Sequence, residues 1–381
     1  MSPKRNIPIA IPCFGDEEWQ ALREPLSSGW VTQGPKVAAF EKAFAQRQGA
    51  AHALACTSCT AGLHLILAAM GIGPGDEVIV PSFTWVASAN AVLYCGATPV
   101  LCDVNRETFN IDIAHAASLV GPRTRAIIAV HLFGLSVDLD ALAAAAPGVP
   151  LVSDAACAVA TRYKGRPIGS LGTAAAFSFH PRKIIVTGEG GMVATQDAAL
   201  AGRIDSLRNH GASVSEEQRH VGPKPYILPE FNALGFNYRM TDLQGAVGLA
   251  QLSRLDGFLE ERRSGAEFYR RELASLGWLR TPSQEQSREH GWQAYVCYVD
   301  EAKSPLSRDR ILEAMQAQGI GGRPGTHAVH MLGLYARQFG YTVDSLPAAR
   351  DCYRYSLAIP LHNRMTMDDY RYVADALKNL E

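Results

Sequence analysis

The sequence predicts an α/β fold, in which a large domain with a mostly parallel central sheet flanked by helices precedes a smaller C-terminal α+β domain. Between about residues 50 and 200, short apolar runs rich in β-branched residues alternate with alanine-rich stretches of helical character. Strands that are apolar throughout are typical of a parallel sheet covered on both faces. After about residue 240 the pattern changes to long amphipathic helices and one alternating strand.

The strands of the large sheet are predicted one after another, each separated from the next by a helical or polar stretch, as a layered α/β domain requires. They cover residues 78–80, 99–103, 125–131, 150–154 and 174–179. A helix is predicted for about residues 83–94, because a proline precedes it at position 81 and a glycine follows at position 96. Polar residues at the carboxyl ends of such strands are candidate ligand contacts, because ligands of open sheets bind there.

The C-terminal part is predicted to contain one long amphipathic helix, an alternating strand and two further helices. These elements cover residues 242–271, 291–299, 308–318 and 367–380. We predict two domains, a large α/β domain (residues 1–255) and a small α+β domain (residues 256–381).

Composition and charge exclude several classes of partner. The 36 Lys and Arg residues nearly balance the 37 Asp and Glu residues, so neither nucleic acid nor an anionic membrane is expected to bind through bulk charge. No apolar run approaches the ~18 residues that cross a bilayer, and no apolar signal core follows the first residues. With eight cysteines and no export signal, we expect reduced thiols in a cytoplasmic protein.

The segment 177–192 contains the residues that most strongly indicate a catalytic function. Lys183 stands just past an apolar strand, and Ile-Ile-Val and then Thr-Gly-Glu-Gly-Gly (187–191) follow it. A lysine at the carboxyl end of a sheet can be partly desolvated, which makes its amine nucleophilic and able to form a Schiff base with a carbonyl. The glycines let the backbone pass close to a bulky ligand. The alternative is a solvated surface lysine.

Asp154 ends the predicted strand 150–154. A buried carboxylate must be paired or hydrogen-bonded, and one suitable partner is a protonated pyridine nitrogen. A nearby aspartate keeps such a ring cationic, so that it serves as an electron sink. Asp154 could instead cap a following helix.

Two further segments could contact a flat, phosphorylated ligand. The helix start at residues 57–62, which includes Thr60 and Ala61, could bind a phosphate through free backbone N–H groups, or could be a plain N-cap. Trp85 could stack on a flat ring or belong to the core. Cys56 and Cys59 form a lone Cys-x-x-Cys pair, for which packing is favoured over redox chemistry.

No metal site is predicted. His327 and His330 are three residues apart, but no carboxylate or third histidine lies close to them in the sequence. We therefore interpret both histidines as substrate-facing or structural, and not as metal ligands.

Six ordered motifs identify a family resemblance that covers nearly the whole chain. They are SGWVTQGP (28–35), GPGDEVIVPS (73–82), GATPV (96–100), YKGRPIG (163–169), FSFHPRKIIVTGEGGM (177–192) and GFNYRMTD (235–242). With these motifs the chain resembles the sugar aminotransferases of the DegT/DnrJ/EryC1/StrS family, which are fold-type I enzymes that depend on pyridoxal 5′-phosphate.

The resemblance implies a role for each matching residue. Lys183 would hold the cofactor through a Schiff base and shuttle the proton, Asp154 would pair with the pyridine nitrogen, and Trp85 would stack on the ring. The phosphate would be held by Thr60, Ala61 and Ser178. Asn237 would reach the cofactor phosphate of a neighbouring subunit, which implies a homodimer with shared active sites. Cys157 stands where members usually carry His or Gln, so we expect an altered contact with the cofactor but retained catalysis.

By the same resemblance, the chain would move an amino group from an amino acid, with glutamate expected, to a keto group of a nucleotide-linked deoxy sugar. A keto-cyclitol acceptor and a non-catalytic regulator remain alternatives. Related dehydratases replace the Schiff-base lysine, so Lys183 argues against that reaction. The substrate contacts are expected from residues 214–230 and 325–330.

Overall fold

The computed structural model describes residues 5–213, 226 and 228–380. In these residues the strands are β1 (His52–Cys56), β2 (Glu77–Pro81), β3 (Phe83–Thr84), β4 (Thr98–Cys102), β5 (Thr124–Val130), β6 (Leu151–Asp154), β7 (Arg162–Tyr163), β8 (Arg166–Pro167), β9 (Ala174–Ser178), β10 (Gly191–Thr195), β11 (Leu279–Arg280), β12 (Arg288–Glu289), β13 (Tyr295–Val299), β14 (His327–Ala328) and β15 (Ser356–Ile359).

The α-helices of the same residues are α1 (Asp16–Ala21), α2 (Arg23–Ser28), α3 (Pro35–Gln48), α4 (Cys59–Ala69), α5 (Ala87–Tyr94), α6 (Ile113–Ser118), α7 (Leu139–Ala145), α8 (Ala198–Arg208), α9 (Asp242–Ser253), α10 (Leu255–Glu272), α11 (Arg308–Ala317), α12 (Gly333–Phe339), α13 (Pro347–Tyr355) and α14 (Met367–Lys378). No helix in the described part of the chain has both the length and the apolar character needed to span a membrane.

The large sheet has seven strands in the order β1-β10-β9-β6-β5-β2-β4. Only β10 runs antiparallel to its neighbours, so the other six strands share one direction. The predicted α/β class with a mostly parallel central sheet is therefore confirmed. Asp154 ends the central strand β6, where it pairs in register with Val130 of β5 and Ala176 of β9.

Both faces of this sheet are buried, which explains why its strands are apolar throughout. In β2, Val78 and Val80 pack into the core on one face, whereas Ile79 packs into the core on the other. Neighbouring β5 repeats the pattern, with Ile128 on the first face and Ile127 on the second. Successive side chains of a strand point to opposite faces, so an alternating sequence would have exposed one face to water.

Two predicted helices were wrong in detail. The helix predicted for residues 83–94 starts only at Ala87, because Phe83 and Thr84 form the short strand β3 that pairs with β14. The single helix predicted for residues 242–271 is two helices, α9 and α10, which meet at Arg254. The Arg254 guanidinium bonds both carboxylate oxygens of the buried Glu18. Strands β1 and β10 of the large sheet were not predicted, and of the described strands outside that sheet only β13 was.

The C-terminal part contains a three-stranded antiparallel sheet in the order β11-β13-β15. Its core joins apolar side chains of α10, α11 and α14 to those of β13 and β15. The buried Arg262 of α10 ties this core together, because its guanidinium donates hydrogen bonds to the backbone oxygens of Trp292, Gln293 and Leu361. The predicted division at residues 255 and 256 stays a prediction.

Candidate active site

A cavity of about 640 Å³ opens at the carboxyl edge of the large sheet. The last residues of β5, β6 and β9, which are Val130, Asp154 and Ser178, all line it. The opposite wall comes from β14 and β15 of the C-terminal part, through residues such as His327 and Ala358. The cavity therefore lies where the topology of an open parallel sheet predicts a ligand site.

Lys183 lines this cavity on the turn that follows β9. Its backbone N–H donates to the oxygen of His180 at 2.8 Å, which closes the turn and directs the chain back toward β10. The amine Nζ lies 3.3 Å from the sulfur of Cys157, another cavity residue. The lysine is half-buried, so it is not the solvated surface lysine of the alternative interpretation.

Asp154 is a buried carboxylate, only 6% exposed, that is bonded by neutral donors. The Ser88 hydroxyl donates to Oδ2 at 2.7 Å, the Ala156 N–H donates to Oδ1 at 3.1 Å, and the Cys59 thiol lies 3.9 Å from Oδ1. Residues 155–161 form turns and not a helix, so Asp154 is not a helix cap. A buried carboxylate without a cationic partner among the described residues fits a cationic ligand atom.

The N-terminus of α4 faces the same cavity. The hydroxyl of its N-cap, Ser58, accepts a hydrogen bond from the Ala61 N–H at 3.1 Å, and both Ser58 and Thr60 line the cavity. Ala61 is buried and not a lining residue. The N-cap and phosphate interpretations are therefore compatible, because the Ser58 hydroxyl bonds one N–H and other N–H groups of the first turn have no intrahelical acceptor.

Gly191, in the segment 177–192, allows α4 to lie close to the sheet. A Cβ at Gly191, the first residue of β10, would lie 2.4 Å from the carbonyl carbon of Ser58 and 2.6 Å from the nitrogen of Cys59. The glycines are expected to bring the backbone close to a ligand, but at Gly191 the close approach is to the start of α4. Any side chain at this position would push α4 and its N-terminus away from the cavity edge.

Trp85 and His327 face the cavity together, whereas His330 does not line it. The Trp85 ring is 56% exposed and meets the His327 ring edge-on at a centroid distance of 5.4 Å, so Trp85 is not a core residue. His330 is fully buried, and its Nδ1 is 2.8 Å from the Ser82 hydroxyl. His327 therefore faces the cavity, whereas His330 is packed in the interior and does not line the cavity.

Asn237 is exposed and does not line the cavity of its own chain. Its segment is held beside the site, because the Thr57 N–H donates to the oxygen of Tyr238 at 3.0 Å. Of the expected substrate segment 214–230, residues 214–225 and 227 lie outside the described residues.

Three residues of the site were missed by the sequence reasoning. Ser88 gave no sequence signal, since it sits within an apolar helix. His131 also lines the cavity, and burial lowers its pKa to about 3. Arg323 was overlooked although it stands two residues before the segment 325–330, and a charged residue beside a candidate substrate segment was a usable signal.

The cysteines form no disulfide. Cys56 and Cys59 are buried, and burial raises the pKa of Cys56 to about 12. Among the described residues, no group of three or more His, Cys, Asp or Glu side chains is arranged to hold a metal ion.

The arrangement fits pyridoxal phosphate on three independent points: the half-buried amine of Lys183, the buried carboxylate of Asp154 and the exposed Trp85 ring all face one cavity. The sequence model of the DegT/DnrJ/EryC1/StrS aminotransferase family matches residues 12–378. The chain belongs to this family. It is therefore an aminotransferase, and the predicted family and enzyme class are confirmed. The predicted cofactor is confirmed at the level of the family, whose matching structures include a PLP form.

Relatives of known name match over their whole length. The chain is 41% identical to the spore coat polysaccharide biosynthesis protein SpsC of Bacillus subtilis, over 100% of this chain and 99% of that protein. It is also 41% identical to the GDP-perosamine synthase of Caulobacter vibrioides, over 99% of both. Among solved structures, the sugar aminotransferase CalS13 from Micromonospora echinospora is 27% identical with a TM-score of 0.88, covering 98% of this chain and 99% of that chain.

Proposed function

We propose that this aminotransferase transfers the amino group of glutamate to a keto group of a nucleotide-linked deoxy sugar. The observation that carries the proposal is that a half-buried amine, Lys183, and a buried carboxylate, Asp154, line one cavity. The names of two relatives support a nucleotide-linked sugar as the acceptor. One relative is named for a GDP-linked product, and the other is named a sugar aminotransferase.

Pyridoxal 5′-phosphate, when bound, supplies a carbonyl carbon and an electron-accepting ring. Lys183 would hold it covalently through Nζ, and Asp154 would hold its ring nitrogen in the protonated form. Trp85 would cover one face of the ring. Thr60 and Ser178 would hold the phosphate at the α4 N-terminus, where the helix dipole favours an anion. Ala61, expected to share this role, does not line the cavity, and its N–H bonds the Ser58 hydroxyl.

Lys183 would also move the proton of the donor. Once the donor amine has replaced it, the Lys183 amine is free and can accept the α-proton at Nζ and return it. Ser88 would keep the Asp154 carboxylate oriented by its hydrogen bond to Oδ2. Cys157, at 3.3 Å from Nζ, would contact the ring where relatives use a stronger hydrogen-bonding side chain.

We further propose a cytoplasmic homodimer in which Asn237 completes the partner's phosphate site. Its support is the exposed apolar side chains that precede Asn237, since Leu228 and Leu234 are 82% and 91% exposed. Large exposed apolar side chains concentrated in one short segment are typical of protein–protein interfaces. The unpaired cysteines support a reducing compartment.

The test is reductive trapping with borohydride followed by peptide mapping. We expect the label on Lys183, and we expect Lys183→Ala to fold with normal thermal unfolding but to turn over at least about 1,000-fold more slowly. Label on another lysine, or retained turnover in the variant, would refute the proposal. A panel of nucleotide-linked keto sugars and keto-cyclitols, each assayed with glutamate, then decides the acceptor class.

A further inference from the structure

Cys157 and Lys183 place two nucleophilic atoms side by side in the cavity. The sulfur of Cys157 lies 3.3 Å from Nζ of Lys183, and both residues line the cavity and are half-buried. Cys157 lies on the turn that follows β6, whereas Lys183 lies on the turn that follows β9, and these two strands are neighbours in the sheet. Two adjacent strand ends therefore bring a thiol and an amine into contact where small molecules can enter.

Cys157 differs from the other seven cysteines in its access to this cavity. Cys59 also lines the cavity, but it is buried, and its thiol donates to the backbone oxygen of Ala176 at 3.3 Å. Cys13 and Cys95 are half-buried but do not line the cavity, and burial raises the pKa of Cys95 to about 11. The remaining cysteines are all buried, and they are Cys56, Cys102, Cys297 and Cys352.

The amine of Lys183 changes what the neighbouring thiol can do. Nζ can accept the thiol proton, and the resulting thiolate is the form of cysteine that reacts with hydrogen peroxide. An isolated cysteine stops at the sulfenic acid or is oxidised further, whereas a nitrogen nucleophile in contact with the oxidised sulfur can attack it. The lysine side chain is flexible, so Nζ can close the remaining distance to the sulfur without a movement of the backbone.

We propose that Cys157 is a redox modification site, at which hydrogen peroxide links its sulfur to Nζ of Lys183. First the thiolate attacks the peroxide and the O–O bond breaks. The sulfur is oxidised to a sulfenic acid, and the leaving hydroxide takes the proton from Nζ and becomes water. The lone pair of Nζ then attacks this sulfur, so that an S–N bond forms, the S–O bond breaks and a second water leaves with one hydrogen of the amine. Two equivalents of an external thiol reduce the link and restore both side chains.

The link goes beyond the proposed function, but its dependence on the cofactor rests on that function. While Lys183 holds the cofactor, its nitrogen is bonded to carbon and cannot attack the sulfur. After the donor has passed its amino group to the cofactor, the Lys183 amine is free. We therefore expect the link in the aminated form of the enzyme, where it would remove the amine that the next half-reaction needs.

The experiment treats the cofactor-loaded enzyme with hydrogen peroxide, both before and after glutamate has converted it to the aminated form. Activity is measured relative to the untreated activity of the same protein, and intact mass with peptide mapping identifies the product. Cys157→Ser removes the sulfur that would be oxidised. Cys95→Ser is the matched control, because it removes a half-buried thiol that does not line the cavity. Dithiothreitol is added last to test reversal.

We expect the aminated wild type to lose activity at least about tenfold faster than the form in which Lys183 holds the cofactor. The chain should become lighter by about 2 Da, the mass of the two hydrogens lost, and one linked peptide pair should contain residues 157 and 183. Dithiothreitol should restore both activity and mass. Cys95→Ser should behave as wild type does, whereas Cys157→Ser should keep its own starting activity through the treatment.

Inactivation of Cys157→Ser at the wild-type rate would overturn the inference. A disulfide between Cys157 and Cys59 would also overturn it, since that product has the same mass but joins different peptides. Oxidation of Cys157 that leaves Lys183 unlinked would do the same. Equal linkage before and after glutamate would support the inference but refute the proposed function, because the Lys183 amine would then be free in both forms.

Discussion

The hydroxyl of Ser88, on α5, donates a hydrogen bond of 2.7 Å to Oδ2 of Asp154, at the end of β6. Both side chains are buried, and the Thr84 hydroxyl lies 3.0 Å from the Ser88 hydroxyl. The carboxylate that would face the cofactor ring is therefore oriented by a residue of a different element.

Ser88→Ala should lower kcat and cofactor affinity about tenfold each, because a buried hydrogen bond to a charged group is lost. Steady-state kinetics and an absorbance titration with pyridoxal phosphate measure the two effects. The matched control is Ser153→Ala on β6, which removes a buried hydroxyl that has no hydrogen-bond partner among the described residues. Equal losses in both variants would show that Ser88 acts only through packing.

Asp154→Asn should slow the donor half-reaction at least about 100-fold, because the amide cannot stabilise a positive charge on the ring nitrogen. Cofactor affinity should fall less, since the amide keeps the shape of the carboxylate. Stopped-flow absorbance after mixing with glutamate measures the half-reaction. An unchanged rate would reassign Asp154 to a structural role.

Gly191→Ala should weaken cofactor binding more than tenfold, because its Cβ would lie 2.4 Å from the Ser58 carbonyl carbon and displace the α4 N-terminus. Gly202→Ala is the control, since this glycine of α8 has no atom within 4 Å of the added Cβ. That substitution should raise the free energy of unfolding by roughly 0.4–1 kcal/mol and leave cofactor affinity unchanged. Equal cofactor affinity in the two variants would contradict the proposed helix-terminus site.

The acid sensitivity of the fold should depend on His131, which is fully buried and accepts a hydrogen bond from the Val137 N–H through Nδ1. Burial lowers its pKa to about 3 from the usual 6.5. Between these pH values the unfolded chain binds one proton more than the folded chain. The free energy of unfolding should therefore fall with decreasing pH by up to about 1.4 kcal/mol per pH unit from this residue.

His131→Asn keeps an acceptor for the Val137 N–H but cannot bind the proton, so its unfolding free energy should fall less steeply between pH 6.5 and 5. Urea unfolding at several pH values gives the slope. His210→Asn, at an exposed position, should retain the wild-type slope. If the unfolding free energies of His131→Asn and wild type changed equally with pH, the acid sensitivity could not be assigned to His131.

Most of the site residues that could be predicted from the sequence follow the ends of apolar strands. Asp154 and Lys183 were predicted because a polar residue after an apolar strand is visible in the sequence itself. The class of fold followed from the same runs, since strands buried on both faces must be apolar on both.

The contacts between distant elements could not be predicted. Ser88 bonds Asp154 across 66 positions, and β3 pairs with β14 although 243 positions separate Thr84 from His327. No local pattern encodes such pairings, because they depend on how whole elements pack. The break at Arg254 was missed for the same reason, as its partner Glu18 lies 236 positions away.

The pairing of β3 with β14 couples the two walls of the cavity. His327 on β14 is in register with Thr84, the residue immediately before Trp85. If the C-terminal wall moved as a rigid body, it would displace Trp85 through the backbone pairing of β14 with β3. The contact between the Trp85 and His327 rings would act in addition. If Trp85 covers the cofactor ring as proposed, opening the cavity to exchange one substrate for another is thereby linked mechanically to that cover.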